Sequence, residues 1–207
     1  MSIIIGIVFI DDDNDVFAQS ANYKILAGGG NATTVLMTYT PNLLTINAGD
    51  SVTWYNPTEV GEPHTITFIM DKNYFPPPAF PLNVSNTAFS NHSIPNYNVE
   101  PLTVPNNSIQ NTDTDSNTTT IIVDNARLYN PTIVDSTGNN ITTLLPNSNY
   151  VMKGDEKYVN SGWMLPVGMI PPGMASITDF TLTFEKPGIY NYLCIIHPWM
   201  TGTIDVV

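Results

Sequence analysis

From residue 23 onward the chain is dominated by short runs that alternate or cluster β-forming residues, cut by turn signals. Residues 23–27, 35–39, Leu43–Ile46 and 51–56 make a first set, divided by Gly28-Gly29-Gly30 and Ala48-Gly49-Asp50. Residues 64–70 follow, with a histidine at the entrance. Residues 177–184, 188–194 and 201–207 make a last set, with Lys186-Pro187-Gly188 turning between the first two. No window sustains the helical period of 3.6, so the pattern predicts an all-β fold, an antiparallel β-sandwich of seven to eight strands.

Between residue 71 and about residue 162 the pattern breaks. Pro76-Pro77-Pro78, Pro81, Pro95, Pro101 and Pro105 interrupt any ladder, and residues 106–120 are almost purely polar. Apolar pieces at 121–123, 133–134 and 141–145 offer small strands or pins onto the sandwich. A stretch this long is not an idle loop. A large, partly ordered insertion at about 71–162 is therefore expected within a single domain spanning 23–207. Residues 1–22 form a signal-like or linker segment. Its apolar run at 2–10 is too short to cross a bilayer as a helix. That run reads either as the end of a signal-peptide core, with Val16-Phe17-Ala18 as the cleavage site, or as a strand. Asp11, Asp13 and Asp15 open like a calcium loop. Val16 stands where the glycine belongs, however, and Asn22 where the closing glutamate does, which leaves a solvated linker.

Composition narrows the class. In 207 residues there are six basic and eighteen acidic side chains, a net charge of −12. Such a surface disfavours nucleic acid and anionic lipid and favours a cationic partner or plain solubility. Six Asn-x-Ser/Thr triplets begin at Asn31, Asn83, Asn91, Asn106, Asn117 and Asn140. An Asn- and Thr-rich chain makes some of these by chance, but their number fits an extracytoplasmic glycoprotein, secreted or on the cell surface, better than a cytosolic enzyme.

A single cysteine excludes an intramolecular disulfide and leaves a thiol that is inert, reactive or a metal ligand. That Cys194 is followed three positions later by His197, and Met200 lies three beyond. Thiolate, imidazole and thioether on one short loop are the donors of a mononuclear copper site, and His64 in Glu62-Pro63-His64-Thr65 supplies the second imidazole. Two His and one Cys in a plane with a weak axial Met make an electron-transfer copper centre. His92, in Asn91-His92-Ser93, has no comparable placement and reads as an exposed insertion residue. The methionines of Trp163-Met164-Leu165-Pro166-Val167-Gly168-Met169, with Met174 beyond, read mainly as packing. The sharper alternative is that part of this stretch lines the rim of the site as an apolar docking surface.

Three segments resemble the cupredoxin family of plastocyanin, pseudoazurin and amicyanin. They are Leu44-Thr45-Ile46-Asn47-Ala48-Gly49-Asp50-Ser51-Val52-Thr53-Trp54, then Pro63-His64-Thr65-Ile66-Thr67, then Lys186-Pro187-Gly188-Ile189-Tyr190 running through Cys194 and His197 to Met200-Thr201-Gly202. They cover roughly residues 33–70 and 163–207, and no matching segment appears in the insertion; the resemblance is to an archaeal-type member carrying a long Asn-, Pro- and Thr-rich insertion. The resemblance implies a Greek-key sandwich holding one type 1 copper ion, with His64, Cys194 and His197 as equatorial ligands and Met200 as the axial candidate. The three-residue interval from His197 to Met200 is similar to the short amicyanin loop. Beside Pro198 and Trp199 the sulfur could also point away, leaving the axial position to water. Ile195 departs from the family's usual hydroxyl residue after the cysteine, and an apolar sulfur environment should raise the reduction potential.

The function implied is single-electron transfer between transient redox protein partners, an electron carrier rather than an enzyme, with His197 as the exit through an apolar surface. A possible peripheral membrane or cell-surface association and the oligomeric state stay open. With one cysteine and three histidines, dinuclear and multicopper sites are excluded. Two alternatives remain: an open copper site reacting with a small molecule such as nitric oxide or superoxide, and a surface glycoprotein using the fold as scaffold.

Overall fold

The computed structural model describes residues 20–74, 79–85 and 118–207. The signal-like run, the aspartates at 11–15, His92 and the triplets at Asn91, Asn106 and Asn117 lie outside them. The described strands are, in chain order, β1 (Asn22–Ala27), β2 (Gly30–Asn31), β3 (Thr34–Val35), β4 (Tyr39–Thr40), β5 (Leu43–Ile46), β6 (Ser51–Tyr55), β7 (Thr67–Ile69) and β8 (Ala79–Ser85). They continue with β9 (Thr118–Asp124), β10 (Thr132–Val134), β11 (Ile141–Thr143), β12 (Asn149–Met152), β13 (Tyr158–Asn160), β14 (Asp179–Phe184), β15 (Gly188–Leu193) and β16 (Thr201–Val206).

Two sheets form an all-β sandwich. One runs β12-β14-β6-β1-β4 and the other β11-β10-β13-β7-β15-β16-β5. Period-two alternation builds the interface between them. On β14, Phe180, Leu182 and Phe184 are buried while Thr181 and Thr183 are not; Val52 and Trp54 on β6, and Ile204 and Val206 on β16, repeat the pattern. Trp54 of the first sheet meets Phe68 and Tyr192 of the second edge-on, at centroid distances of 6.0 and 5.3 Å. Burying each such ring contributes on the order of 2 kcal/mol.

β2 with β3 and β8 with β9 form two separate two-stranded sheets. Of the twelve strands in the two main sheets, eight lie outside residues 132–160, four in each sheet. They overlap the segments that sequence patterning marked, although the stretch at 35–39 is split between β3 and β4. The remaining four come from a region that composition placed in the insertion: β10, β11 and β13 extend the second sheet and β12 the first. Neither sheet is wholly antiparallel. β1 runs parallel to β6, β12 to β14, and β16 to β5. The chain keeps crossing from one sheet to the other, so these neighbours arrive by crossovers rather than hairpins. Only β15 with β16, and β10 with β11, pair as consecutive strands within the two main sheets.

Candidate metal centre

The site follows from one strand pair. β7 and β15 are antiparallel with Leu193 opposite Thr67, so the register carries Cys194, just past β15, to the residues preceding β7. The amide of Thr65 donates to Cys194 Sγ at 3.3 Å, and the amide of Ile195 donates to Thr65 Oγ1 at 2.9 Å. Residues 194–200 then form the connection of the β15–β16 hairpin. Its tightness is written in three backbone bonds: His197 N–H to Cys194 O (3.2 Å), Met200 N–H to His197 O (2.8 Å) and Cys194 N–H to Met200 O (3.0 Å). The turn brings His197 Nδ1 to 3.6 Å from Cys194 Sγ.

His64 arrives from the other side. It sits in an isolated antiparallel bridge with Met164, its amide donating to Met164 O at 3.1 Å and its carbonyl accepting from Met164 N–H at 2.8 Å. Buried Asn56 holds the approach: Nδ2 donates to Glu62 O (2.7 Å) and Met164 O (3.0 Å), while Oδ1 accepts from Thr58. Gly28, at φ +86°, makes room for the ring. A Cβ there would fall 2.2 Å from His64 Nε2, so the Nε2 edge lies against the Gly28 backbone and Nδ1 is the far nitrogen.

The donor atoms of His64, Cys194 and His197 all lie within 4.8 Å of one another, and all three residues are buried. Bonds of about 2.0 Å to nitrogen and 2.3 Å to sulfur set two ligands of one ion roughly 3.7 Å apart, the spacing of Cys194 and His197. His64 gives an independent sign. It is fully buried, yet neither ring nitrogen has a hydrogen-bond partner. Burial first, and the neighbouring His197 second, lower its pKa to about 4, so the ring is neutral at physiological pH with a free lone pair. An orphaned buried imidazole facing a thiol and a second imidazole is costly unless something fills the gap. A soft or borderline metal ion fits it.

Sequence patterning brings His64, Cys194, His197 and Met200 forward, and the fold brings the first three together. Met200 lies on the same loop, buried at 1 % exposure among core residues. Met164, read from sequence mainly as packing, is fully buried and bridges His64 through its backbone. Met169 and Val167 are exposed on the segment that follows.

The sulfur's surroundings are apolar only in part. Ile195 is buried with Leu128, Val134 and Tyr158, and Ile196 packs on the main core, but the Thr65 amide points at the sulfur. Nor is the outer edge of His197 bare. The residue is only 7 % exposed, and its Nε2 lies 3.0 Å from Glu62 Oε1. The surface aromatic is the next ring along, Trp199, 70 % exposed and 5.6 Å from His197 between centroids.

Sequence reasoning passes over Glu62, Thr65, Asn56, Tyr39 and Gly28. Adjacency to His64 is the available signal for the first two. Tyr39 donates its hydroxyl to Thr65 O at 2.6 Å, and burial pushes that hydroxyl's pKa well up, so it stays a donor under the ligand strand.

No family model matches the chain, and no curated protein does. Among solved structures it is similar to the Cu(I) form of a point mutant of amicyanin, at 14 % identity and TM-score 0.37, over 90 % of this chain and 82 % of that one. It is similar also to a purple cupredoxin from Nitrosopumilus maritimus, at 18 % identity and TM-score 0.35, over 89 % and 99 % of the two chains. The chain's own geometry carries more than likenesses this loose. The chain forms a two-sheet all-β sandwich with a buried His64, Cys194 and His197 cluster, a donor set that fits one copper ion.

Proposed function

We propose that the protein is a mononuclear type 1 copper protein that passes single electrons between redox partners. His64, Cys194 and His197 would hold the ion, with Met200, buried on the same loop, as the candidate fourth donor. The observation that carries this reading is the buried cluster itself, a thiol and two imidazoles with both His64 ring nitrogens unpartnered. Bound there, copper would supply a one-electron Cu(I)/Cu(II) couple.

The chain's own residues supply the rest. The β7–β15 pairing and the closed 194–200 loop support a rigid donor set, which lowers the reorganisation accompanying a change of oxidation state. Cys194 is fully buried in the main core with Met200 and Ile196, which keeps water from the sulfur, and the Thr65 N–H draws charge from it; both favour the reduced state and a raised potential. Trp199, exposed beside His197, offers the aromatic contact for a brief encounter with a partner.

An extracytoplasmic setting belongs to the same proposal. Asn31 and Asn140, which open two of the glycosylation triplets, are exposed. Among the described residues no helix is long and apolar enough to cross a membrane.

Titration of the metal-free protein with Cu(II) tests the reading. An intense visible thiolate-to-copper band should rise to one equivalent and be absent in Cys194→Ser. No band in the wild type would end the copper reading. A band that changes on adding azide, nitrite or nitric oxide would replace electron transfer with small-molecule chemistry at an open site.

A further inference from the structure

The contact between Glu62 and His197 has no part in the donor set, yet it is built. Glu62 lies two residues before His64, on the loop that Asn56 fixes by bonding both Glu62 O and Met164 O. The Glu62 amide donates to Val60 O at 2.8 Å, and Pro63 follows with its fixed φ. The backbone on both sides of the side chain is thereby tied to the approach of His64. From that anchored position the carboxylate reaches across to the other ligand loop and meets Nε2 of His197 at 3.0 Å. The side chain keeps 32 % of its surface exposed, while the His197 side chain keeps only 9 %. The carboxylate therefore lies against that ring nitrogen as the more exposed partner of the contact.

The two nitrogens of His197 thus face different groups, Nδ1 the sulfur of Cys194 and Nε2 the carboxylate of Glu62. A carboxylate accepts but does not donate, so the contact places the ring's proton on Nε2 and leaves the Nδ1 lone pair turned to the cluster. We propose that Glu62 is a positioning residue of the centre. It selects the ligating tautomer of His197, holds the ring's rotation, and sets a negative charge against the outer edge of the ligand. Carboxylate–histidine–metal pairs of this kind raise ligand basicity and metal affinity. A fixed negative charge also favours the more positive oxidation state, so Glu62 lowers the reduction potential, against the apolar shell and the Thr65 amide, which raise it. This rests on the copper reading for the potential, but not for the tautomer.

Two variants separate geometry from charge. Glu62→Gln keeps an oxygen that can accept the Nε2 proton and removes the charge; Glu62→Leu removes both. In metal-free protein labelled with 15N-histidine, NMR should find the proton of neutral His197 on Nε2 in the wild type and in Glu62→Gln. In Glu62→Leu it should be shared between the two nitrogens. In the copper-loaded proteins, Glu62→Gln should shift the Cu(II)/Cu(I) equilibrium about tenfold toward Cu(I), about 59 mV upward for a one-electron couple. Glu62→Leu should also bind Cu(II) about 10–100-fold more weakly.

Two results overturn the proposal: a wild-type His197 protonated on Nδ1, or Gln and Leu variants that both match the wild type in potential and affinity. If Glu62→Leu does not fold, Glu62→Gln alone decides through its potential. A wild type that takes up no copper refutes the copper reading instead, and the NMR arm still decides the tautomer.

Discussion

At the scale of single residues the centre is held as much by what is missing as by what is present. Gly28 faces the His64 ring with no side chain, at a positive φ that L-residues adopt at a cost of roughly 1 kcal/mol. Gly28→Ala would place a methyl 2.2 Å from Nε2, within the ring's van der Waals envelope, so either the Gly28 turn or the imidazole must move. Gly28 is buried just past the end of β1, and the atoms nearest an added methyl all belong to the His64 ring, so the expected outcome is a protein that stays folded but with its thiolate-to-copper band weakened or shifted. An unchanged band with an unchanged melting temperature would show that the ring is not held against this glycine. The donors themselves were legible in the sequence because their chemistry is rare and their spacing short: one cysteine, with histidine and methionine at three-residue intervals on one loop. Gly28, Asn56 and Glu62 were not. Each acts on a group that only folding brings near, and none is unusual in composition.

Among the elements, β13 shows what strand patterning could and could not see. The eight strands of the two main sheets outside residues 132–160 carry alternation or clustered β-formers, and patterning marks all of them, though it draws one strand at 35–39 where only β4 (Tyr39–Thr40) joins a main sheet. β13 is three residues long, buried throughout, and follows a stretch rich in proline, asparagine and threonine, so period-two reasoning had nothing to count. It nevertheless pairs with β7, the strand that leads out of His64. Its Asn160 is fully buried and accepts a hydrogen bond from Thr67 Oγ1 at 2.9 Å; its Nδ2 donates to Arg127 O at 3.0 Å. With the Thr67 hydroxyl committed to Asn160, Thr67 Oγ1 accepts from Thr65, whose own oxygen accepts from the Ile195 amide. A directed chain of hydrogen bonds therefore runs from the residue after Cys194 into β13. Asn160→Ala should cost about 1–3 kcal/mol, because buried partners lose their bonds without regaining water. Urea unfolding of the metal-free protein measures it, and a loss below about 0.5 kcal/mol, the ordinary scatter of surface substitutions, would mean that β13 merely covers the ligand strand.

Over the whole molecule the sequence carries eighteen acidic against six basic residues, and that charge bears on encounter rather than on fold. Near the centre the exposed features are an aromatic ring, Trp199, and a partly exposed carboxylate, Glu62; no lysine or arginine is found paired with either among the described residues. A positively charged reactant should therefore be drawn toward the site and a negatively charged one held off. Charges separated by more than about 10 Å are screened at 0.1 M salt, so the attraction should fade as salt rises. The measurement is stopped-flow oxidation of the Cu(I) protein by two small complexes of opposite charge, a cationic cobalt complex and an anionic iron cyanide. From low to physiological ionic strength the cationic oxidant should slow by about tenfold, the lower end of what electrostatic steering contributes, while the anionic one should speed up. Equal and flat rates for both would mean that the acidic residues face away from the centre. A reversed order would point to an acidic partner and remove net charge as a guide to what this protein meets.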